Sequence, residues 1–481
     1  MSALDTIRFI LDGEVVEICG VDPTRTVLQY LREDIRRKGS KEGCAEGDCG
    51  ACTVVVAELV RDGDDVSIKA INACIQFLPT LDGKELITVE SLAGGDDLHP
   101  VQSAMVANHG SQCGFCTPGF VMSLYALYET NQNPDRQEID DALSGNLCRC
   151  TGYRPIIAAA REMYTAPRAV SRDRSAALID IQREQSLSID HNGRKFFAPA
   201  DIDELATLVA ENPDATILAG GTDVGLWVTK QQRELMAVIY TGRVADLRDV
   251  RTSDSHIDIG AAATLTEAIP AILEFYPGFT ELFRRFASPP IRNAGTLGGN
   301  IANGSPIGDS MAALMVVDAS LVLRKGGVER EVALVDFYHD YMVNDLQPGE
   351  FLSRIKIPLP SDAAVVKSQK WSKRFDQDIS AVCTAYRLVL DDGKVASFRM
   401  ACGGLAATVR RAKETEAAMT GMPWTDDTIE NACVALSKDF APISDTRASA
   451  DIRLLVVQNL LRRFYAETRS DGLASVYTYG R

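Results

Sequence analysis

The sequence predicts a multidomain α+β chain, and three observations carry that expectation. Strand-like alternation punctuated by short turns runs to about residue 85, then gives way to a helical texture up to about 165. Short strands and helices alternate from about 191, and beyond 365 a strand pair is followed by amphipathic helices. Of the 12 cysteines, nine fall in the first 150 residues, and eight of those nine form two sets of four. A chain of 481 residues has room for three or four such domains. The expected boundaries are 1–85, 86–165, a linker over 166–190, 191–364 and 365–481.

In the first domain Ile7, Phe9 and Leu11 alternate up to Asp12-Gly13, and Val15 to Ile18 resume beyond it, which spells a β-hairpin. Asp22-Pro23-Thr24 introduces a helix with Leu28, Leu31 and Ile35 on one face, expected to end near Gly39. A strand follows over Thr53–Leu59, then a turn at Asp62-Gly63 and a strand leading to Cys74. Between helix and strand lies Gly43-Cys44-Ala-Glu-Gly47-Asp-Cys49-Gly50-Ala-Cys52, answered by Cys74. Cys-x4-Cys-x2-Cys with a distant fourth Cys is the plant-type spacing for a [2Fe–2S] cluster. Two irons bridged by two sulfides need four thiolates converging from nearly all sides, and the interleaved glycines let the loop double back. Backbone N–H groups in such a loop also point at the sulfurs. A disulfide framework, a zinc site or unrelated buried cysteines are the alternatives. The element order is that of a ferredoxin-like β-grasp domain.

The second set is Cys113-Gly-Phe-Cys116 with Cys148-Arg-Cys150, each pair opening a helix whose first turn carries Pro118 or Pro155. Val121, Leu124 and Leu127 on one helix and Ile156, Ile157 and Ala160 on the other supply facing apolar stripes. Two helix N-termini then aim their positive ends at one anionic group. A structural zinc explains such a set in isolation; beside the plant-type loop, a second cluster and an electron relay make better sense. Cys19, Cys383, Cys402 and Cys433 stand alone in apolar surroundings and are expected to be inert core residues.

Residues 166–190 are charged and weakly periodic, which reads as a surface linker. Past it, Ile217-Leu-Ala-Gly220-Gly221-Thr222-Asp223-Val224-Gly225 carries a strand into a glycine turn and a helix, where backbone N–H groups approach a pyrophosphate. Arg292-Asn-Ala-Gly-Thr296-Leu-Gly298-Gly299-Asn300 repeats that chemistry further on. Neither matches the Rossmann G-x-G-x-x-G, so the nucleotide-binding design is a different, non-Rossmann α+β one. Beyond 365, strands about Asp392-Gly393 and two or three helices carry no cluster of His, Cys or carboxylates, which suits a packing domain.

Composition narrows the function. A net charge of −16 opposes a general nucleic-acid or membrane-surface role, and no apolar run approaches a bilayer span. The N-terminus lacks an export signal, so a reducing cytoplasm is expected, where clustered Cys reads as metal ligation.

Taken together, GCAEGDCGACTV, QCGFCTPG, GNLCRCTGY, AGGTDVG and TLGGNIANGSPIGD resemble the molybdenum hydroxylases, specifically the iron–sulfur/FAD subunit of their xanthine-oxidising bacterial members. The resemblance covers essentially the whole chain. It implies a plant-type ferredoxin domain, a four-helix [2Fe–2S] domain, an FAD-binding domain and a C-terminal flavoprotein domain. By the same token Cys44, Cys49, Cys52 and Cys74 ligate one cluster, and Cys113, Cys116, Cys148 and Cys150 the other. Gln112 matches a position that touches the pterin of a partner's molybdenum cofactor. For FAD the resemblance implies Ile217, Leu218, Ala219, Gly220, Gly221, Thr222, Asp223 and Val224 along the pyrophosphate, then Thr296, Leu297, Gly298, Gly299 and Asn300 in a second phosphate turn. It adds Phe286 against the isoalloxazine, and Asp309, Leu352 and Lys370 at further flavin contacts. Core packing is the competing account of Phe286 and Leu352.

The implied activity is oxidation of hypoxanthine and xanthine at a molybdenum centre, which needs a general base beside the metal. The five scattered histidines offer none here, so that chemistry, and molybdopterin, are expected in a larger partner subunit within an α2β2 assembly. Electrons then run from the partner to the Cys113 set, the Cys44 set, FAD and NAD+. Phe375 departs from the pattern, standing where animal relatives carry a basic residue, and this leaves NAD+ against oxygen open. The alternatives are the equivalent subunit of an aldehyde oxidase or N-heterocycle hydroxylase, a stand-alone NADH-linked iron–sulfur flavoprotein, and a zinc-stapled FAD sensor.

Overall fold

The Asp12-Gly13 turn takes the positive φ angles, 54° and 85°, that a two-residue hairpin demands, and it joins Ile7–Leu11 to Glu14–Ile18. The computed structural model describes residues 4–60, 65–94, 97–165, 167, 172–361 and 363–469. They fall into two compact units: Met1–Arg248 with Thr264–Thr266 and Ala287–Thr296, and Asp249–Ala263 with Glu267–Phe286 and Leu297–Arg481.

In the first unit the hairpin belongs to a five-stranded sheet ordered Glu14–Ile18, Ile7–Leu11, Glu85–Ile87, Thr53–Leu59, Val66–Asn72. Ile7–Leu11 pairs in parallel with Glu85–Ile87 and the other pairings are antiparallel, as in a β-grasp sheet. Phe9, Val54, Val56 and Leu86 bury one face against Leu28 and Leu31. The helix bearing those leucines is shorter than expected. It starts on a Thr26–Gln29 capping box, widens into a π-helical turn over Tyr30–Asp34, and stops because Arg36 turns left-handed at φ 60°. The Arg37 N–H then closes on the Leu31 carbonyl at 2.7 Å, six residues back, one residue wider than a Schellman bond, in keeping with the π-helical turn before it. The turn expected at Asp62-Gly63 lies outside the described residues.

Four helices follow, Pro100–Ala107, Thr117–Thr130, Arg136–Leu143 and Arg154–Glu162, around Phe120, Leu124, Tyr128, Ile139 and Ile156. Pro118 and Pro155 do sit in first turns, where a missing N–H costs nothing. The longest helix also turns Met122 and Tyr125 towards Val55 and Ile10 of the sheet.

Two expectations are corrected here. The stretch read as a surface linker contains a helix, Ser175–Ile181, whose Leu178 and Ile181 are buried with Ile10, Val55 and Met122. A seven-residue helix that buries so few side chains leaves almost no periodic trace in sequence. Arg183, just beyond it, is held by the buried Asp82 carboxylate, which also receives Arg243. Cys19 is exposed rather than buried, because it follows the outer strand of the sheet, whose residues are largely open to solvent.

Glu58, on the strand Thr53–Leu59, collects Lys69 at 3.1 Å, Lys84 at 3.4 Å and Arg248 at 3.0 Å. Burial opposes its charge, but Lys84, Arg248 and Lys69 together outweigh that and hold the carboxyl well below the usual range. Its stabilising effect is therefore complete above the unfolded pKa of about 4.3 and is lost as pH falls towards the depressed folded value. Glu58→Gln should cost about 3 kcal/mol at neutral pH, since it removes the buried carboxylate that three cations share. Urea denaturation should show that gap narrowing below about pH 4; a gap independent of pH would contradict the assignment.

The remainder of this unit is a four-stranded sheet, Leu187–His191, Arg194–Ala198, Ala237–Tyr240 and Thr216–Leu218. The second unit holds a five-stranded antiparallel sheet ordered Val250–Thr252, His256–Gly260, Phe351–Pro358, Ser320–Lys325, Val328–Ala333. It also holds a four-stranded one, Val365–Trp371, Val382–Asp391, Lys394–Gly403 and Arg410–Arg411. The expected turn at Asp392-Gly393 links its two long strands, and helices Lys413–Met419, Asp426–Asp439 and Ala450–Arg469 follow. Tyr386 stacks on Phe464 with ring centroids 4.5 Å apart at the centre of that packing. Among the described residues no helix is long and apolar enough to cross a membrane.

Candidate functional site

Within the first unit the loop after residue 42 coils because Ala45, Gly47 and Gly50 all take left-handed φ angles of 55°, 76° and 69°. That coil aims the N–H groups of Glu46, Asp48 and Cys49 at Cys44 Sγ, each at 3.4 Å. Hydrogen bonding from the Cys49 and Cys74 thiols, reinforced by those amides, holds Cys44 far below an ordinary thiol pKa. Cys74 in turn bonds the buried Cys52, so one connected set links all four sulfurs. A side chain at Gly43 would stand 2.7 Å from Cys49 Sγ, so that position must be glycine for the sulfurs to gather. Four gathered thiols with inward-facing amides suit an iron–sulfur cluster, whose irons take soft thiolate ligands and whose negative charge the amides offset.

The second set gathers between two helix starts. Cys116 is itself the N-cap of Thr117–Thr130, and the left-handed Tyr153 caps Arg154–Glu162. Cys150 Sγ lies 3.6 Å from Cys113 Sγ, and Cys148 Sγ meets the Thr151 N–H at 3.4 Å and its hydroxyl at 3.1 Å. Burial, then the Cys148 contact, pushes the Cys116 thiol up to about 12. Cys113 and Cys150 are exposed together with Gln112, Phe115 and Leu147, so this set opens to solvent while Cys52 and Cys74 are buried.

Asn146 joins the two sets. It is buried, receives the Ser123 hydroxyl at 2.6 Å, and donates to the Gly50 carbonyl at 3.2 Å and Thr53 Oγ1 at 3.3 Å. The Leu147 N–H donates to the Cys49 carbonyl at 3.0 Å, one residue from Cys148.

On the other flank of the first loop, Thr216–Leu218 runs into the glycine turn and Val224–Thr229 leaves it as a helix. A Cβ on Gly220 would lie 1.9 Å from the Ala294 carbonyl oxygen, so this turn and the one ending at Thr296 touch backbone to backbone. The Gln76 amide donates to the Gly220 carbonyl at 2.7 Å; Thr229 Oγ1 donates to the Ala45 carbonyl at 2.7 Å and Lys230 Nζ to the Cys44 carbonyl at 2.8 Å.

The other predicted residues lie in the second unit. Gly298, in helix Leu297–Asn303, passes the Ala261 backbone so closely that a Cβ would sit 2.5 Å from its oxygen. Asn300 Oδ1 receives the Ser310 hydroxyl at 2.5 Å. Asp309 and Lys370 form a buried ion pair at 2.7 Å, and Ser380 completes it by donating to Asp309 Oδ1 at 2.6 Å. Leu352 is buried on the strand opposite Leu323, and Phe286 is half-buried after Thr280–Arg285. Arg285, buried, binds the Lys370 and Phe375 carbonyls at 2.8 and 2.7 Å and so pins the loop that holds Phe375.

Sequence reasoning missed Gln76, Asn146, Thr229 and Lys230. Two had a trace: Asn146 lies inside GNLCRCTGY, and Gln76 is two residues past Cys74. Thr229 and Lys230 carry none, since ordinary helix-end residues acquire meaning only from what they face.

Four family models match successive stretches of the chain. Residues 9–77 match the model of a 2Fe-2S iron-sulfur cluster binding domain and 88–161 that of a [2Fe-2S] binding domain. Residues 190–360 match an FAD binding domain in molybdopterin dehydrogenase, and 367–468 a CO dehydrogenase flavoprotein C-terminal domain. Xanthine dehydrogenase of Emericella nidulans is 33% identical over 499 residues, covering 91% of this chain and 36% of that protein. Xanthine dehydrogenase 1 of Arabidopsis thaliana is 32% identical over 86% of this chain and 36% of its own length. The chain thus spans about a third of the curated relatives it matches. A solved chain of carbon monoxide dehydrogenase from Hydrogenophaga pseudoflava superposes with a TM-score of 0.54 at 26% identity, covering 57% of this chain and 98% of that one.

Proposed function

The chain belongs to the molybdenum hydroxylase family as its iron–sulfur/FAD part, and we propose that it carries electrons from purine oxidation on a molybdopterin-bearing partner to NAD+. The observation that supports this reading most is the middle position of the Cys44 set. On one side the Cys49 carbonyl is hydrogen-bonded to Leu147, next to Cys148; on the other, the Cys44 carbonyl is bonded to Lys230, beyond the glycine turn.

In this proposal Cys113, Cys116, Cys148 and Cys150 hold the cluster that receives electrons, and Cys44, Cys49, Cys52 and Cys74 the one that passes them on. The first set takes the partner's side because Cys113, Cys150 and Gln112 are exposed together, and Gln112 reaches the partner's pterin. Ile217 to Val224 and Thr296 to Asn300 take the FAD phosphates, and Phe286 meets the flavin ring. Asp309, Leu352 and Lys370 make further flavin contacts, the two charged residues held in place by the ion pair they form. When bound, FAD turns one-electron deliveries into a hydride for NAD+. Xanthine and hypoxanthine are the proposed substrates, an α2β2 heterotetramer the proposed assembly, and the reducing cytoplasm the proposed compartment.

The isolated chain, loaded with clusters and FAD, should oxidise NADH with an artificial acceptor and leave xanthine untouched. Adding the partner should restore xanthine-dependent reduction of NAD+. Xanthine turnover by the isolated chain would overturn the division of labour, and failure to oxidise NADH would overturn the acceptor.

A further inference from the structure

Three residues outside both cysteine sets fasten the glycine turn to the first of them. Gln76 stands two residues past Cys74; its carbonyl receives the Val27 N–H at 2.9 Å and its side-chain oxygen the Thr80 hydroxyl at 3.3 Å, so its place is fixed before its amide reaches Gly220. Thr229 and Lys230 close the helix that leaves the turn, and they donate to consecutive carbonyls, Ala45 and Cys44. Lys230 also lies 3.6 Å from Glu46. Gly225, on the same short helix, comes so close that a Cβ would sit 2.5 Å from the Ile75 carbonyl oxygen. Backbone on backbone at Ile75, with a hydrogen bond to either side, leaves the turn little room to shift without the loop.

We propose that Gln76, Thr229 and Lys230 are positioning residues that make occupation of the Cys44 set and binding of FAD at the Gly220 turn cooperative. The inference rests on the reading of that turn as a flavin-binding element. Its cause is an ordering cost. Without metal on its thiols, the Cys44 end of the loop, which runs through left-handed Ala45 and Gly47, relies on N–H···S contacts of 3.4 Å at Cys44, and the Cys44 and Ala45 carbonyls lack the further ordering that bound metal would add. Loading the four cysteines fixes both carbonyls, so Lys230 and Thr229 find preset partners and the turn is ordered before flavin arrives. Ordering already done for one ligand is not repeated for the second, and the coupling must be reciprocal. Electron transfer benefits as well, because the spacing between the flavin-side turn and the cysteines becomes fixed.

The test measures FAD affinity by flavin fluorescence on the full chain, with and without reconstituted clusters. In the unaltered chain cluster loading should tighten FAD about tenfold, within the usual range of such couplings. Thr229→Val combined with Lys230→Met should bring that factor close to one while leaving the affinity of the cluster-free chain unchanged. Lys230→Arg, which keeps the donor, should retain most of the coupling. Circular dichroism and both cluster EPR signals in the double variant establish that it is folded and loaded. Equal coupling in the unaltered chain and the double variant, or no coupling in either, overturns the proposal. The flavin reading is tested separately by Gly220→Ala, whose added Cβ meets the Ala294 carbonyl. Full FAD binding by that variant would overturn the turn assignment itself, whatever the coupling shows.

Discussion

Cys44→Ser removes one of the two [2Fe–2S] EPR signals, leaves the other, and slows reduction of the Cys113 set by NADH by more than about 100-fold. Three features of the loop set this size. Cys44 stands at the junction of its set, in contact with both Cys49 and Cys74, so its loss unravels the set rather than one corner of it. It is the sulfur on which three backbone N–H groups converge, and a serine oxygen is harder and shorter-reaching than the thiolate they address. Its carbonyl, moreover, is the acceptor for Lys230, so disorder at the loop reaches the flavin-side helix. The signal that survives should be that of the second set, whose four cysteines belong to a separate helical core. Retention of both signals would refute the ligand assignment; loss of both would show that the sets do not assemble independently.

The cysteine sets were legible because much of the ligand spacing is local: Cys44, Cys49 and Cys52 share ten residues with their glycines, and Cys113 with Cys116 and Cys148 with Cys150 form close pairs, while only Cys74 stands apart. The hairpin at Asp12-Gly13 and the prolines opening two helices were readable for a similar reason, since each is dictated by one dihedral requirement. Contacts between distant segments were not. The helix at Ser175–Ile181 buries too few residues to show a period, and Cys19 looked apolar only because its strand neighbours do. Asp309 and Lys370 illustrate a subtler limit. Resemblance assigns each a flavin contact, while the structure shows that they first satisfy each other, 61 residues apart, inside the second unit. Asn146 and Gln76 show the converse, buried amides that stand in or beside a cysteine motif but whose carbonyl partners lie on other segments, so the motif marks the residue and not the contact.

Gly50→Ala should be among the most damaging single-methyl changes in the first unit, and the reason is where that methyl would go. Gly50 holds φ 69°, which costs an L-residue about 1 kcal/mol by itself. The new Cβ would lie 2.1 Å from the Gly145 carbonyl oxygen and 2.9 Å from Asn146 Cα, both backbone atoms that no rotamer change can move. From the opposite side, Gly119 already approaches the Gly50 carbonyl so closely that its own Cβ would stand 2.1 Å away. Gly50 is thus enclosed by backbone from two elements, and relief requires the two cysteine loops to part. Overpacking of this kind adds roughly 2 kcal/mol, for a total near 3 kcal/mol. Parting also breaks the Leu147 to Cys49 and Asn146 to Gly50 hydrogen bonds, the links between the two sets. Gly20→Ala is the control: it shares a left-handed φ of 66° but meets nothing within 4 Å, so it should lose only about 1 kcal/mol. Urea denaturation compares the two, and EPR of the fully reduced protein reads the magnetic interaction between the clusters. That interaction should weaken in Gly50→Ala and stay unchanged in Gly20→Ala. If Gly50→Ala proves no less stable than Gly20→Ala and keeps the interaction, the two loops are not held by this contact.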